Sequence, residues 1–128
     1  MTFIEALARE EGFFEEGSRA QRNCNPGNID FDSWSKAHGA VLETIPNGYN
    51  ESPRFAAWPN AQDGWTALHD LLISDYLGLT VAQAIAKFAP STENDTEQYI
   101  KNVCSFASVT PETILTPDNI GDVPISIA

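Results

Sequence analysis

The sequence predicts a mainly helical α+β domain with a small antiparallel sheet inserted after the first helix. Three observations lead to this fold class. An amphipathic segment with helix start and stop signals opens the chain, glycine, proline and asparagine are concentrated between residues 12 and 60, and further helix starts follow in the second half. Short extended pieces within the glycine-rich stretch would supply the sheet.

The first helix is the N-terminal amphipathic segment. Thr2 followed three residues later by Glu5 is a capping-box pattern, and Gly12 is a typical stop. Four residues share one face at helical spacing: Ile4, Leu7, Ala8 and Glu11. Glu11 therefore stands on the apolar stripe, where burial raises the pKa of a carboxyl group toward that of a general acid at neutral pH. Alternatively, the helix frays at its last turn and Glu11 points into solvent.

The stretch from residue 12 to residue 60 is predicted to be loop-rich and to carry the sheet. Asn25-Pro26-Gly27-Asn28 predicts a type II turn, because proline suits its second position and glycine its third. Extended pieces around residues 28–31, 40–45 and 54–58 predict a small, irregular antiparallel sheet. Turns at residues 46–48 and 51–53 would separate the later pieces.

Capping patterns divide the second half of the chain into helices. Three helices are predicted to begin at pairs with N-cap spacing: Asn60 with Asp63, Thr80 with Gln83, and Asp95 with Gln98. The second of them should stop before Pro90. Thr110-Pro111-Glu112 predicts a short last turn or helix, and the tail from Pro117 onward is turn-prone.

Size and charge narrow the class of protein and of partner. Residues 1–128 are one domain in size, and a hydrophobic content of 42% is enough for a packed core. No apolar run is long enough to span a membrane, so we expect no membrane partner. The net charge of −11, from 18 acidic and 7 basic residues, disfavours nucleic acid, because phosphate binding needs clustered Lys and Arg. A neutral ligand fits this charge, and we expect a monomer.

The cysteines and histidines predict no metal site, and we expect no cofactor. Cys24 and Cys104 either form one disulfide outside the cytoplasm or remain two unrelated buried thiols. His38 and His69 are isolated in the sequence, and neither cysteine has a second Cys or a His at metal-ligand spacing, so a zinc site is not expected.

Three segments together resemble one known superfamily. They read Glu11-Gly12-Phe13, then Gln21-Arg22-Asn23-Cys24-Asn25-Pro26-Gly27-Asn28, then Phe55 to Leu68 with Pro59, Gly64 and Trp65 at the motif positions. This pattern resembles the lysozyme-like superfamily of phage and goose-type lysozymes, lytic transglycosylases and bacterial glucosaminidases. The likeness is greatest to phage and bacterial domains that degrade peptidoglycan, and it covers roughly residues 4 to 107.

The resemblance implies the catalytic residues. Glu11 would be the general acid that protonates the glycosidic oxygen. A later segment, residues 93–100, is similar to the family segment that brings an aromatic hydroxyl near the cleft, which here is that of Tyr99. Core packing explains Tyr99 equally well. Asp30 and Asp32 are the leading choices for a second carboxylate, with Glu43 and Glu51 as more distant options, although a transglycosylase needs no second acid.

The resemblance also implies substrate-binding residues. The candidates are Arg22, Asn23, Asn25, Asn28, Trp34 and Trp58. The asparagines offer amide groups that match sugar hydroxyl and acetamido groups, although turn formation explains Asn25 and Asn28 at least as well. Arg22 would meet a nearby glutamate or a substrate carboxylate, or simply be a surface residue. Trp34 and Trp58 are the candidates for stacking on a sugar ring. Phe13 and Phe14 are candidates for an apolar wall beside Glu11, although core packing explains Phe13 equally well.

The function implied is that of a single lysozyme-like, glycan-cleaving domain over residues 1–128. It would be a glycoside hydrolase of the lysozyme or muramidase type that cleaves β-1,4 bonds between N-acetylated amino sugars of peptidoglycan. Alternatives are a lytic transglycosylase, a chitinase acting on a chitin-like glycan at the same site, or a non-catalytic virion or glycan-binding module. The protein would act as a secreted or periplasmic protein, either after removal of a signal or after release by lysis.

Overall fold

A computed structural model describes residues 1–44 and 52–125 of the chain. The described part is mainly helical and includes a small two-stranded antiparallel sheet. The elements in chain order are α1 (Phe3–Glu10), α2 (Arg19–Arg22), α3 (Ser33–Ala37), β1 (Val41–Leu42), β2 (Ala56–Ala57), α4 (Ala61–Asp75), α5 (Val81–Phe88), α6 (Thr96–Ala107) and α7 (Pro117–Ile120). The predicted fold class is therefore confirmed at the level of mainly helical α+β.

The predicted helix starts are all confirmed. Thr2 and Glu5 form a reciprocal capping box at α1, and Thr80 and Gln83 form another at α5. The side chains of Asn60 and Asp95 cap α4 and α6. The apolar faces of these helices meet in one core, to which α1 contributes Ile4 and Leu7, α4 Leu68 and Leu72, α5 Ile85, and α6 Val103. Helix α6 packs against both α1 and α5.

The sheet is formed by the predicted extended pieces. Val41 pairs with Ala57 and Leu42 with Ala56, in antiparallel register. An isolated bridge between Asp30 and Phe55 adds the earliest piece. Residues 45–51, which include Ile45, the predicted turn at 46–48 and Glu51, lie outside the described residues, as do residues 126–128.

Two short helices replace part of the predicted loop. Helix α2 begins after Ser18, whose hydroxyl accepts a hydrogen bond from the N–H of Gln21. Helix α3 begins at a capping box of Asp32 and Ser35. Both are at most five residues long, so neither contains the two turns of apolar periodicity that identify a helix in a sequence. The prediction of an irregular stretch was wrong here because the signal lies entirely in the caps.

The Asn25–Asn28 turn differs from the predicted type. The backbone N–H of Asn28 donates to the carbonyl of Asn25 at 3.1 Å, which closes the turn. Asn28 has the positive φ (47°), whereas Gly27 is not among the residues with positive φ, so the turn is not type II. Glycine is needed at 27 for space, because a Cβ there would lie 2.8 Å from Leu68 Cδ1. Gly64 of α4 approaches the same turn, and its Cβ would lie 1.8 Å from the carbonyl oxygen of Cys24.

The end of the chain agrees with expectation only in part. Residues 110–113 form a turn, closed by a hydrogen bond from Thr113 N–H to Thr110 O, as the Thr110-Pro111-Glu112 pattern predicts. The tail from Pro117 onward is predicted to be turn-prone, whereas residues 117–120 form helix α7, with Thr116 as its N-cap and Pro117 at its first position. Both Cys24 and Cys104 are free thiols, so the two are not joined in a disulfide.

Candidate active site

A cavity of about 630 Å³ separates the sheet-bearing segment from the helical part of the chain. One wall consists of the 27–32 segment, Trp34, Arg54 and Phe55. The other consists of the end of α4, the end of α5 and the following turn, with Leu71, Asp75, Tyr76, Lys87, Phe88, Ala89, Pro90, Glu93 and Asn94. Glu11 lies at this cavity, directly after α1. A cavity of this size is typical of a small-molecule or oligosaccharide site.

Glu11 is held at the C-terminal end of α1 with its carboxyl largely sheltered from water. Its backbone N–H still donates to Leu7 O at 3.0 Å, so the helix has not frayed there. Burial raises the pKa of the Glu11 carboxyl, and the charge of Glu10 raises it further, while hydrogen bonds from Tyr99 and Asn28 act in the opposite direction. The net direction is upward. The predicted placement of Glu11 on the sheltered stripe is confirmed.

Tyr99 reaches Glu11 from α6. Its ring is buried at 6% exposure in the main core, and its hydroxyl donates to Glu11 Oε2 at 2.6 Å. Burial, together with the charge of Glu11, raises the pKa of Tyr99 well above its ordinary value. The hydroxyl therefore keeps its proton and acts as a donor. The core packing predicted as one alternative for Tyr99 is confirmed, and its hydroxyl binds the Glu11 carboxyl, while a catalytic role for Tyr99 stays a prediction.

Asn28 reaches Glu11 from the opposite side. Its Nδ2 donates to Glu11 Oε1 at 3.1 Å and to the Glu11 main-chain carbonyl at 3.2 Å. Each oxygen of the carboxyl group therefore has one donor, from residues 17 and 88 positions away in the sequence. The fold brings together three of the predicted site residues around one buried carboxyl.

The predicted apolar wall of phenylalanines lies elsewhere. Phe13 packs against the ring of Trp65 in an edge-to-face contact at 5.2 Å between centroids, and Phe14 is 54% exposed beside them. The apolar lining of the cavity comes instead from Ile29, Leu71 and Phe88.

Asp30 lines the cavity but is engaged in an ion pair. Its Oδ1 accepts from Arg54 Nε at 2.9 Å, and Arg54 Nη2 also contacts Glu93 Oε1 at 2.9 Å across the cavity. The Asp30 side chain is 55% exposed. Asp32 lines the cavity as well, with one carboxylate oxygen bound to the N–H of Ser35 as the cap of α3. These two are the described carboxylates on the sheet side of the cavity.

Glu43 is excluded as a second acid because it is a buried structural residue. It is 2% exposed and forms a two-point ion pair with Arg19, at 3.0 and 2.6 Å. Backbone N–H groups of Arg54 and Phe55 donate to the same carboxylate at 2.8 and 2.7 Å. Burial alone would raise the pKa of Glu43, but the Arg19 pair and the other hydrogen bonds outweigh it and lower the pKa to about 2. Glu51 lies outside the described residues.

Three predicted sugar-binding residues do not face the cavity. The Asn23 side chain is buried and donates to Glu43 Oε1 at 3.1 Å. Asn25 is fully buried, and its Nδ2 donates to Ile29 O and Ala56 O, both at 2.9 Å. Arg22 is exposed on α2, while the neighbouring Arg19 makes the buried ion pair. These asparagines are framework residues, because their side chains are buried and their amides hold the Glu43 carboxylate and main-chain carbonyls.

The two tryptophans that were predicted to stack on a sugar ring lie in different surroundings. Trp34 is half-buried in α3, lines the cavity and stacks on His38 with ring centroids 3.8 Å apart. Trp58 is 4% exposed in a second, smaller core, and its Nε1 donates to His38 O at 2.9 Å. Both faces of the Trp58 ring are covered, so the prediction that it stacks on a sugar was wrong. A ring next to a strand in the sequence gives no sign of which side of the sheet it occupies.

Several lining residues were missed in the sequence. Arg54, Glu93 and Lys87 supply charges to the cavity, and the Lys87 ammonium donates to the Asp75 carbonyl at 2.7 Å. Arg54 directly precedes the Phe55 motif, and this position was the one feature of the sequence that could have indicated its place at the cavity. Lys87 and Asp75 occupy helix ends that only the tertiary fold brings together. Among the described residues, no group of three or more His, Cys, Asp or Glu side chains is arranged to hold a metal ion.

No protein-family model matches this chain, and no curated protein sequence matches it. In residues 1–44 and 52–125, no helix has the length and apolar character needed to cross a membrane.

Proposed function

We propose that the protein is a glycosidase that cleaves β-1,4 bonds between N-acetylated amino sugars, with Glu11 as general acid and peptidoglycan as substrate. The observation that carries this proposal is the sheltered Glu11 carboxyl at the cavity, bound by Tyr99 and Asn28. A carboxyl with a raised pKa stays protonated to higher pH, which is what protonation of a leaving oxygen requires.

The cavity supports a sugar substrate. A polar chain with many hydroxyl groups needs donors and acceptors along its path together with an apolar face for ring stacking. Trp34 offers a half-buried indole at one wall, where Asp32 is a polar neighbour, and Asn94 offers a polar group at the other wall. Carboxylates outnumber cations along the walls, with Asp30, Asp32, Asp75 and Glu93 against two basic residues. A neutral or amidated glycan fits this charge better than a strongly anionic one.

The second catalytic group decides between two reactions. Hydrolysis needs a carboxylate about 5–5.5 Å from the acid for retention or about 6.5–9.5 Å for inversion. Asp30 is the candidate for that role, but its pairing with Arg54 disfavours a nucleophile or base. This pairing supports lytic transglycosylation as the second candidate function, in which the muramyl 6-hydroxyl attacks internally and Glu11 serves first as acid and then as base.

The experiment compares purified wild-type protein with Glu11→Gln on bacterial cell walls and on chitin-like chains. Glu16→Gln is the matched control, because Glu16 is an exposed glutamate five residues further along the chain. We expect loss of turbidity with wild type and Glu16→Gln, and at least a hundredfold slower loss with Glu11→Gln. Equal rates for wild type and Glu11→Gln would remove Glu11 from the mechanism.

Product analysis separates the remaining alternatives. Mass spectrometry of released fragments distinguishes reducing ends, left by hydrolysis, from anhydromuramic ends, left by transglycosylation. Faster release from chitin-like chains than from cell walls would make the protein a chitinase. Binding to the glycan without any product over long incubation would identify a non-catalytic binding or virion module. The proposed substrate implies action outside the cytoplasm.

A further inference from the structure

The backbone conformation of Asn28 and the contacts of its side chain serve different parts of the structure. Its φ of 47° lies in the left-handed region, where asparagine and glycine are favoured. The turn itself is held by other groups, since Asn28 N–H bonds Asn25 O and the Asn25 side chain bonds Ile29 N–H and two carbonyls. The amide of Asn28 takes no part in these contacts. The Asn28 side chain therefore does not hydrogen-bond the backbone of its own turn, as asparagine side chains in turns usually do.

The Nδ2 group of that amide donates to two acceptors of Glu11. The first is the main-chain carbonyl of Glu11 at 3.2 Å, at the end of α1 where the helical hydrogen-bond ladder stops supplying partners. The second is Oε1 of the carboxyl at 3.1 Å. The amide thus binds the backbone and the side chain of one residue at once, which fixes the carboxyl relative to its own helix.

The remaining oxygen of the amide supports this assignment. Asn28 Oδ1 is buried and has no hydrogen-bond partner in the part of the chain that the structure describes. Reversing the amide would place Oδ1 against two acceptors of Glu11, so the orientation is set by Glu11. Leaving a buried acceptor unpaired is unfavourable, and such groups in folded proteins call for a functional explanation.

We propose that Asn28 is a positioning residue, whose amide holds the Glu11 carboxyl toward the cavity while Tyr99 fixes its other oxygen. This inference rests on the proposed function only for its kinetic consequence, because the contacts exist in the protein without substrate. It also revises the sequence-based role of Asn28 from sugar contact to support of the acid. Oδ1 is buried and Nδ2 already donates to two acceptors of Glu11, so the contacts of the Asn28 amide favour support of the acid over direct sugar contact.

The first test is the variant Asn28→Gly. Glycine accepts the positive φ, so the turn is retained while both bonds to Glu11 are lost. We expect kcat on cell-wall fragments to fall about 10- to 100-fold with little change in KM, because the acid is no longer held in its reactive orientation. Unchanged kinetics would mean that Asn28 serves the turn alone. A rise in KM with unchanged kcat would mean that it binds sugar. Either result overturns the proposal.

The second test needs no catalysis and uses Asn28→Asp. The titratable groups that face Glu11 are Glu10 on its own helix and Tyr99 on α6, with Tyr76 at the end of α4 near Tyr99. None of them changes in this variant. A carboxylate at position 28 would lie against Glu11, so ¹³C NMR of the side-chain carboxyls should show the Glu11 titration moved to higher pH.

The matched control is Asn102→Asp. The Asn102 amide binds both carboxylate oxygens of Glu10, at 2.8 and 3.0 Å. The control therefore places a new carboxylate against Glu10, the residue directly before Glu11. We expect this control to move the Glu11 titration much less than Asn28→Asp does. An unchanged Glu11 titration in Asn28→Asp would overturn the positioning role. If wild-type protein cleaves no glycan, the proposed function fails, while the NMR titration still decides whether Asn28 holds Glu11.

Discussion

Replacing Glu43 with glutamine should destabilise the protein by about 2–4 kcal/mol at pH 7. The Glu43 carboxylate accepts from Arg19, from Asn23 and from two backbone N–H groups, and its side chain has no exposed surface. Glutamine has one oxygen for this set of donors, so its NH₂ group must face at least two of them. The variant loses the ion pair and leaves buried donors without acceptors.

The pH dependence of the free energy of unfolding gives a second, independent measure of the contribution of Glu43. The pKa of Glu43 is lowered from 4.5 to about 2 in the folded protein. Stability from this group is therefore complete above pH 4.5 and is lost as the pH falls through 4.5 toward 2. At about 1.4 kcal/mol per pH unit, a fall from pH 7 to pH 3 should remove about 2 kcal/mol. Stability falls with falling pH because the unfolded chain, in which the pKa of Glu43 is higher, takes up a proton at a higher pH than the folded protein does.

The assay is urea unfolding of wild type and Glu43→Gln at pH 7 and at pH 3, with Glu16→Gln as an exposed control. Other carboxylates titrate in the same range, so the quantity that matters is the difference between wild type and variant at each pH. We expect that difference to shrink by about 2 kcal/mol at pH 3. A difference that stays the same at both pH values would show that Glu43 is not held as an ionised, buried partner of Arg19.

Four other substitutions test the fold and the site. Gly64→Ala should destabilise the fold by at least about 2 kcal/mol in thermal unfolding despite the higher helix propensity of alanine, because its Cβ would meet the Cys24 carbonyl oxygen at 1.8 Å. A stabilised variant would contradict that approach. Trp34→Ala should raise KM for glycan with little change in Tm, whereas Trp58→Ala should cost about 3–5 kcal/mol of stability; similar losses of stability in both would refute the distinction drawn between them. Glu11→Gln should have a higher Tm than wild type at pH 8, and the gain should fade as the pH falls from the raised pKa of Glu11 toward 4.5, because the raised pKa of Glu11 makes the buried ionised form unfavourable; a lower Tm at pH 8 would count against its burial.

The helix starts could be predicted because their signals are local. A capping side chain and its partner lie three residues apart, as for Thr80 with Gln83, so the sequence contains the whole interaction. The position of Glu11 was predictable for the same reason, since helical spacing from Ile4 and Leu7 sets its face. Tyr99 and Asn28, whose hydroxyl and amide bind Glu11, were proposed as site residues through the family resemblance, but neither was proposed as a partner of Glu11.

The burial of polar residues could not be predicted in this way. Glu43 and Arg19 are 24 positions apart, and nothing local marks either of them as paired. From the sequence, a glutamate in a predicted strand is interpreted as a surface residue or as a catalytic acid. Only the fold shows the five hydrogen bonds that Glu43 accepts. Trp58 was misjudged for a related reason. Its indole N–H finds the His38 carbonyl, which lies 20 residues away in the sequence.

The asparagine-rich segment illustrates why motif residues cannot be assigned one role as a group. Asn23 supports the buried Glu43, and Asn25 joins the turn to β2 through the Ala56 carbonyl. Gly64 lets α4 approach the same turn closely, so the turn is fixed on both sides. Only Asn28 directs its amide outward from this frame, toward Glu11. The segment thus places one amide with the accuracy that a catalytic acid needs, and its other asparagines contribute to function only through the rigidity of the turn.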